Sequence, residues 1–385
     1  MIKRDIPKIR FYSYQGAWTE KRIADMVKIS AGGDVDKIKL KESGKYPVVA
    51  NALTNKGIIG FYDDFKVNAP AVTVTGRGDV GYAVARHENF TPVVRLLTLQ
   101  SENIDVDYLE NQINSMRILN ESTGVPQLTA PQLGNYKMYH PEIDEQSAIG
   151  SLFRTLDDLL ASYKDNLANY QSLKATMLSK MFPKAGQTVP EIRLDGFEGE
   201  WKIKELGKVI KFYSGLTYKP SDVLSSGTLV LRSSNVREGE LIYTDNVFVN
   251  PGIVNCENVK LGDIVVVVRN GSRDLIGKHA LIKSEMPNTV IGAFMTGIRC
   301  DNPEFINALL DTKMFIYEIN RNLGATINQI TTGNFKKMKF YFPLTDEQQA
   351  IGAYFSNLDN LIAAHQEKIT QLETLKKKLL QDMFI

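Results

Sequence analysis

The stretch PEIDEQSAIGSLFRTLDDLLASYKDNLANYQSLKATMLSKMF, Pro141–Phe182, indicates how the chain is built, because it occurs again as PLTDEQQAIGAYFSNLDNLIAAHQEKITQLETLKKKLLQDMF, Pro343–Phe384. The two copies align without a gap at a constant offset of 202 and share 17 of 42 residues. A repeat of this length indicates a chain built from two related halves.

Apolar residues in both copies recur with the alternating four-and-three spacing of a heptad seam. This period predicts long helices that pack along one another rather than isolated surface helices. At about 1.5 Å per residue, each helix would be on the order of 55 Å long. The predicted inter-helix seam consists of Phe153, Leu156, Leu160, Leu167, Phe355, Leu358, Ile362, Ile369 and Leu372.

One polar residue interrupts each seam, Lys174 in the first copy and Lys376 in the second. A lysine among apolar neighbours can fix the register and the pairing of helices at a cost in stability. The alternative is a lysine whose stem packs while its ammonium group reaches water. The sequence leaves both interpretations open.

A second apolar line runs along each copy outside the seam. One seam is enough for a pair of helices, so the second line predicts a further partner, either the globular parts of this chain or another chain's helix. A wider intramolecular core is the alternative. The residues of this line are Leu152, Leu159, Leu173, Tyr354, Leu361 and Leu375.

A shorter repeat opens each half. PKIRFYSYQGAW at Pro7–Trp18 returns as PEIRLDGFEGEW at Pro190–Trp201, so the chain's two tryptophans are equivalent, and we expect both to anchor cores. The middles that follow hardly align. Their short apolar runs, broken by Gly, Asn and Asp, predict strands mixed with helices, and hence a mixed α/β (α+β) fold.

These boundaries predict five segments along the chain. The Pro and Gly residues of PKAGQTVP mark a linker after the first long helix. The segments are a first globule at 1–140, a long helix at 141–182, the linker at 183–189, a second globule at 190–342 and a second long helix at 343–385.

The composition limits the classes of function. The 385 residues, 43% of them hydrophobic, can bury two ordinary cores. Two cysteines without a CxxC motif and four scattered histidines predict neither disulfides nor a metal site. The sequence shows no signal peptide and no apolar stretch of membrane-spanning length, so we expect a cytoplasmic protein without a membrane partner. With a net charge of +2, a nucleic-acid binder of this size would have to concentrate its basic residues on one face.

No catalytic constellation can be assembled from these residues. A phosphate loop of the GxxxxGK[ST] type is absent. Asp301-Asn302-Pro303-Glu304 lacks the second proline and the aromatic residue of the amino-methyltransferase signature. We therefore expect no catalytic residue in this chain.

Polar loops follow the apolar runs in both middles. Arginine can form a fork of hydrogen bonds to guanine, asparagine can pair with adenine, and glycine allows close approach, so such loops are candidate readers of DNA. An ordinary hairpin is the alternative, because Asn-Gly is itself a strong hairpin signal. The equivalent Gln127 and Gln329 are expected to contact the scaffold or phosphate. The candidate DNA-binding residues are Asn55, Lys56, Arg77, Gly78, Arg86, Gln127, Arg232, Ser233, Asn235, Arg237, Arg269, Asn270, Ser272, Arg273, Lys278 and Gln329.

The twofold arrangement, the DEQxAIG entry to each helix and the LKxx[LM]LxxMF ending together resemble the specificity subunit of type I restriction–modification enzymes, over essentially the whole chain. The resemblance implies two target-recognition domains separated by two antiparallel coiled-coil helices with approximate twofold symmetry. It further implies that each domain reads one half of a split, asymmetric double-stranded DNA site, while the helices set the spacer.

The same resemblance makes the second apolar line a docking surface for methyltransferase subunits, two in number. The chain itself would hold no cofactor. S-adenosylmethionine, ATP and Mg²⁺ would belong to the partner subunits, which can include restriction (translocase) subunits. Within the recognition domains this family diverges, so the individual contacts rest on residue type and loop placement alone.

Two rival interpretations remain. A protein-interaction adaptor would have the same helices but no salt-dependent affinity for DNA. A self-sufficient methyltransferase with fused recognition domains would need a cofactor-binding domain, for which this length leaves no room.

Overall fold

The computed structural model, which describes residues 5–118, 126–323 and 328–385, divides the chain into two compact units. The first unit comprises the residues up to Asp165 together with Gln366–Ile385, and the second comprises Asn166–His365. Each unit therefore contains one globule and parts of both long helices.

The first globule is built on an antiparallel four-stranded sheet of order β2-β8-β5-β6 and a smaller sheet of order β4-β3-β7, in which β3 and β7 are parallel. Strand β1 pairs with β9. The elements are β1 Thr19–Arg22, β2 Lys28–Ala31, β3 Tyr46–Val49, β4 Ile58–Tyr62, β5 Ala71–Val74, β6 Ala83–Arg86, β7 Thr91–Pro92, β8 Leu97–Gln100, α1 Val106–Ser115, α2 Ala130–Asn135 and β9 Lys137–His140.

The first long helix, α3, spans Ile143–Lys180, and the second globule follows it. The globule contains the elements β10 Lys202–Glu205, β11 Lys211–Ser214, β12 Val223–Leu224, β13 Thr228–Leu231, β14 Val236–Arg237, β15 Glu240–Leu241, β16 Val247–Val249, β17 Ile264–Val267, β18 His279–Leu281, β19 Thr289–Ile291, β20 Met295–Arg299, α4 Pro303–Leu310, α5 Lys313–Asn322, α6 Thr332–Lys337 and β21 Lys339–Phe342. The second long helix, α7, spans Thr345–Asp382.

The two globules share one topology although their middles hardly align. The second globule has a four-stranded sheet of order β11-β20-β17-β18, a sheet of order β12-β16-β13-β19 with β13 parallel to β19, and the pair β10-β21. The first and third match β2-β8-β5-β6 and β1-β9 strand for strand, β16-β13-β19 matches β4-β3-β7, and β12 and the pair β14-β15 are additions of the second globule. Strands β5 and β17 occupy equivalent inner positions of the four-stranded sheets. Because both faces of each strand are covered there, all four residues of each strand are buried.

The long helices run antiparallel within each unit. In the first unit the rings of Phe153 and Phe384 lie 5.6 Å apart. In the second unit the rings of Tyr170 and His365 lie 5.1 Å apart. Asp157 pairs with Lys376 in the first unit, and the rings of Phe182 and Phe355 lie 6.1 Å apart in the second. Within each unit, residue numbers thus rise along one helix as they fall along the other, which confirms the expected antiparallel pair.

Most of the predicted seam is buried. Leu167 and Ile362 are half-buried, while the buried members are Phe153, Leu156, Leu160, Phe355, Leu358, Ile369 and Leu372. The lysines that interrupt the seam form ion pairs across it, Lys376 with Asp157 at 2.5 Å and Lys174 with Asp359 at 2.6 Å. Because equivalent residues pair in each unit, these contacts support the interpretation in which lysine fixes register and pairing.

The opening repeat anchors each globule to its long helix. Arg10 donates to both carboxylate oxygens of Glu145, at 2.6 and 2.7 Å, and Arg193 does the same to Glu347, at 2.8 and 2.7 Å. Trp18 and Trp201 are buried core residues, as expected. Bidentate pairs of this kind fix geometry as well as contributing stability.

Glycine is required where a second helix meets each long helix. A Cβ on Gly150 would lie 2.9 Å from the backbone nitrogen of Tyr108, and a Cβ on Gly352 would lie 2.8 Å from that of Phe305. The segment Asn302-Pro303-Glu304 therefore opens a helix that packs on α7.

Candidate nucleic-acid interface

In the first globule, the polar loop after strand β5 is held by a second segment of the chain. Arg77 lies opposite Gln127 in an antiparallel bridge. The Leu128 nitrogen donates to the Gly76 carbonyl at 2.9 Å, and the Gly78 nitrogen donates to that of Pro126 at 3.3 Å. Two segments about fifty positions apart thus form one surface feature.

The loop after β17 repeats this arrangement in the second globule. Arg269 lies opposite Gln329 in an antiparallel bridge. The Ile330 nitrogen donates to the Val268 carbonyl at 2.9 Å, and the Asn270 nitrogen donates to that of Asn328 at 3.2 Å. We call Arg77 with Gln127, and Arg269 with Gln329, the two Arg–Gln bridges.

A β-bridge brings the side chains of facing residues close together, with Cβ atoms about 4.5–5.5 Å apart. The sequence predicted the arginines and the glutamines as separate candidates, with the glutamines as scaffold or phosphate contacts. The structure joins them in pairs, at the end of the equivalent strand in each globule.

The second globule also brings its two predicted polar clusters together. The Asn270 side chain donates to the Ser233 hydroxyl at 3.0 Å, and the Asn328 side chain donates to the Gly271 carbonyl at 2.9 Å. Arg273 donates to the Asn320 carbonyl at 3.3 Å. The loop after β17 is therefore hydrogen-bonded to three other segments of the chain, at Ser233, Asn328 and Asn320.

Several candidate residues combine exposure with an uncompensated charge. The exposed Arg77, Arg269, Lys56 and Lys278 form no side-chain ion pair with any residue in the three described ranges. The exposed Arg237 lies 3.9 Å from Glu238, and the half-buried Arg232 binds Asp245 at 2.5 Å. The unpaired side chains of Arg77, Arg269, Lys56 and Lys278 suit contact with phosphate or base edges. Asn55, Gly78, Ser272 and Gln127 are also exposed, and Gln329 is half-buried.

Two candidates have internal roles instead. Asn235 is fully buried, accepts a bond from the Arg232 nitrogen at 2.9 Å and donates to the Ile242 carbonyl at 3.0 Å. Arg86 is 7% exposed and donates to the Thr73 hydroxyl and the Lys56 carbonyl. Burial lowers the pKa of Arg86 to about 10. Their side chains form hydrogen bonds within the protein interior, so we exclude both residues from the proposed DNA contacts.

Two exposed residues beside the bridges gave no signal in the sequence. Arg95 has a positive φ of 68°, and a Cβ on Gly76 would lie 2.2 Å from its carbonyl oxygen. Phe294 occupies the corresponding turn of the second globule and is 51% exposed. Each turn directly precedes a strand and lies in an apolar run of the sequence. A single arginine or phenylalanine in such a run belongs to no repeating pattern, so neither residue could be predicted as part of the site.

The second apolar line of the long helices is largely exposed. Leu159, Leu173, Leu361 and Leu375 are 38–44% exposed, and they form two equivalent pairs at the offset of 202. Leu152 is half-buried, and Tyr354 packs against the core of the second unit. The exposed leucines therefore fit the prediction of an interface with a further partner. Tyr354 fits the alternative prediction, a wider intramolecular core.

Within residues 5–118, 126–323 and 328–385, no cluster of His, Cys, Asp and Glu has the arrangement of a metal site. No helix in those ranges has the length and apolarity needed to cross a membrane.

The shared topology and the repeated bridges define a class of protein with two related recognition globules joined through a pair of antiparallel helices. The model of the family described as the type I restriction modification DNA specificity domain matches residues 15–169 and 198–374. The chain belongs to this family of DNA specificity subunits.

Curated relatives agree with this assignment. The chain is 23% identical to the type I restriction enzyme MjaVIII specificity subunit of Methanocaldococcus jannaschii, over 94% of this chain and 91% of the relative. It is 26% identical to the putative type I specificity subunit S.MpnORF507P of Mycoplasma pneumoniae, over 34% and 37%. The crystal structure of the S subunit of a type I restriction–modification system from M. genitalium matches with a TM-score of 0.72 and 17% identity, over 99% of both chains.

Proposed function

We propose that each globule of this specificity subunit reads one half of a bipartite, asymmetric site in double-stranded DNA. The observation that carries the proposal is the recurrence of an Arg–Gln bridge at the end of the equivalent strand in both globules. Arginine is suited to guanine and glutamine to adenine, and their pairing on one surface suits the reading of neighbouring bases in a groove. The flanking polar residues differ between the globules, as two different half-sites require.

The distribution of charge supports DNA as the ligand. The whole chain carries a net charge of only +2, yet both bridges carry an arginine without an ion pair among the described residues, and Lys56 and Lys278 are also exposed and unpaired. Local positive charge releases counterions from phosphate and makes affinity depend on salt. A protein-interaction adaptor does not require this pattern.

The long helices have two further proposed roles. Their length sets the spacer between the half-sites. Their exposed leucines, Leu159, Leu173, Leu361 and Leu375, dock methyltransferase subunits, and the twofold repetition of these leucines favours two such subunits. The recurrence of exposed leucines at equivalent positions of both helices favours an interface with a partner.

Catalysis is assigned to those partners. Methylation with S-adenosylmethionine, and cleavage driven by ATP with Mg²⁺ where restriction subunits join the complex, are the proposed reactions of the assembly. The complex is expected to act in the cytoplasm, where it meets DNA. This chain contributes recognition and no reacting group.

Replacing the two bridges separately tests the proposal. Arg77→Ala with Gln127→Ala is expected to relax one half of the methylated sequence, and Arg269→Ala with Gln329→Ala to relax the other. Each lost base contact weakens discrimination by about 1–3 kcal/mol. Methylation mapping in cells that carry the chain with its methyltransferase measures this. Loss of both halves from either pair of changes would contradict separate reading.

A further inference from the structure

The Arg–Gln bridge of the second globule has an aromatic ring beside its arginine, and no such ring lies beside Arg77 among the described residues of the first globule. The guanidinium carbon of Arg269 lies 4.9 Å from the centroid of the Phe294 ring. The ring is 51% exposed although it is large and apolar. The corresponding position in the first globule is Arg95. The correspondence rests on the same backbone turn, in which Leu96 donates to Val93 at 3.1 Å and Met295 donates to Gly292 at 2.9 Å.

The main chain fixes this arrangement independently of the ring. The nitrogens of Val268 and Arg269 both donate to the carbonyl oxygen of Phe294, at 3.0 and 3.1 Å. The bridge to Gln329 holds Arg269 from the opposite side. A change of the Phe294 side chain therefore removes the ring while the hydrogen bonds that position both segments remain.

The Arg269 side chain makes no hydrogen bond and no ion pair with any residue in the described part of the chain, so the ring is its one specific contact there. A free arginine loses considerable rotamer freedom when it binds. Stacking on an aromatic face restrains the guanidinium plane and leaves its hydrogen-bonding edge open. Such a pre-oriented fork matches the O6 and N7 atoms of guanine, the commonest specific contact in the major groove.

We propose that Phe294 is a positioning residue for base recognition, and that the Arg269 it holds reads a guanine in the half-site of the second globule. This inference rests on the proposed function, because it assigns a base to one of the two readers. It also predicts an asymmetry, since Arg77 has no equivalent ring and reads its half-site without this restraint.

A library of duplexes randomised in one half-site at a time tests the proposal. The full chain, assembled with its methyltransferase, methylates the library, and sequencing ranks the bases at every position. Phe294→Leu is expected to lower the preference for guanine at one position of the second half-site by roughly two- to fivefold. Phe294→Tyr, which keeps the ring, restores it. Arg269→Lys keeps the charge but loses the fork, and should lower that preference further, roughly tenfold or more.

The first half-site is the internal control. It should stay unchanged in all three variants, whereas Arg77→Lys should affect it alone. A second half-site without a G·C pair would overturn the guanine assignment, as would equal guanine preference in Phe294→Leu, Arg269→Lys and the unaltered chain. Half-site reading would survive those results. If Arg269→Lys altered both half-sites, the proposed function itself would fail.

Discussion

Arg86 is a buried basic residue whose hydrogen bonds support a turn of the first globule. Its guanidinium donates to the Lys56 carbonyl at 2.6 Å and to the Thr73 hydroxyl at 3.0 Å. The turn it holds contains Asn55 and Lys56 at φ values of 48° and 49°. Left-handed backbone costs roughly 1–2 kcal/mol per non-glycine residue, so the turn needs an external restraint.

Replacing Arg86 with Met should therefore destabilise the fold and disturb recognition together. Hydrogen bonds from a charged group contribute about 1.5–3 kcal/mol, and we expect a loss of that size in chemical unfolding. Selectivity should fall in the first half-site only. Arg95→Met is the matched control, because Arg95 is exposed, and it should change stability by less than about 0.5 kcal/mol. Equal destabilisation by both changes would contradict this role.

Asp311 is a half-buried carboxylate of the second globule that binds Lys174 of α3, and the same lysine binds Asp359 of α7. Lys174 binds it at 2.6 Å, and His279 lies 3.3 Å away. Burial acts to raise the pKa of Asp311, but His279 and Lys174 outweigh it and lower the pKa to about 2. Burial likewise disfavours the charge of Lys174, yet Asp311 and Asp359 raise its pKa.

The depressed pKa of Asp311 predicts a dependence of stability on pH. Because the folded pKa lies below the unfolded value, the contribution is fully present above the unfolded pKa of roughly 4 and is lost as pH falls towards about 2. Its size is about 2 kcal/mol. Unfolding by denaturant across this range should show Asp311→Asn approaching the unaltered chain as pH falls. A gap that stays constant with pH would refute the assignment.

The long helices are the elements proposed to set the spacer between the two half-sites. Inserting one heptad into both helices at facing levels keeps the seam in register. Each helix gains about 10 Å, which corresponds to roughly three base pairs of DNA axis.

Methylation mapping of this variant should give a longer spacer with unchanged half-sites. Inserting a heptad into α3 alone is the control, because it misaligns the equivalent ion pairs Lys174–Asp359 and Lys376–Asp157 and should reduce methylation overall. Altered half-sites in the double insertion would show that the helices do not act as a spacer.

The sequence predicted those elements whose residues recur at fixed offsets. The helix repeat and the tryptophan anchors follow from positions such as Phe153 with Phe355 and Trp18 with Trp201, whereas the antiparallel pairing was implied by the family resemblance. Gly150 and Gly352 lie inside the predicted long helices, where glycine is unfavourable. Close approach of a second helix to each now explains them.

The contacts within the candidate DNA interface could not be predicted, because they depend on pairing between segments that are distant in the sequence. Arg77 and Gln127 lie in segments whose contact arises from strand bridging, which no local pattern encodes. The shared topology of the middles was hidden for a similar reason, since strands such as β5 and β17 conserve burial rather than residue identity. Asn235 and Arg86 have the residue types of DNA readers, and only their burial reveals internal roles.

At the scale of the whole molecule, one arrangement occurs twice with local differences. The offset between equivalent residues is 183 at Trp18 and Trp201, 192 at Arg77 and Arg269, and 202 at Gln127 and Gln329. The additional residues of the second globule are therefore divided between the stretches on either side of the polar loop. The helix and bridge positions stay equivalent, which is what two interchangeable readers require.

Each globule is proposed to read its half-site independently of the other. The most direct measurement replaces residues 20–140 with the first globule of another member of the family and maps methylated positions in cells that carry the cognate methyltransferase. We predict that one half of the recognised sequence changes while the other half and the spacer persist. A change in both halves, or in neither, would contradict the account.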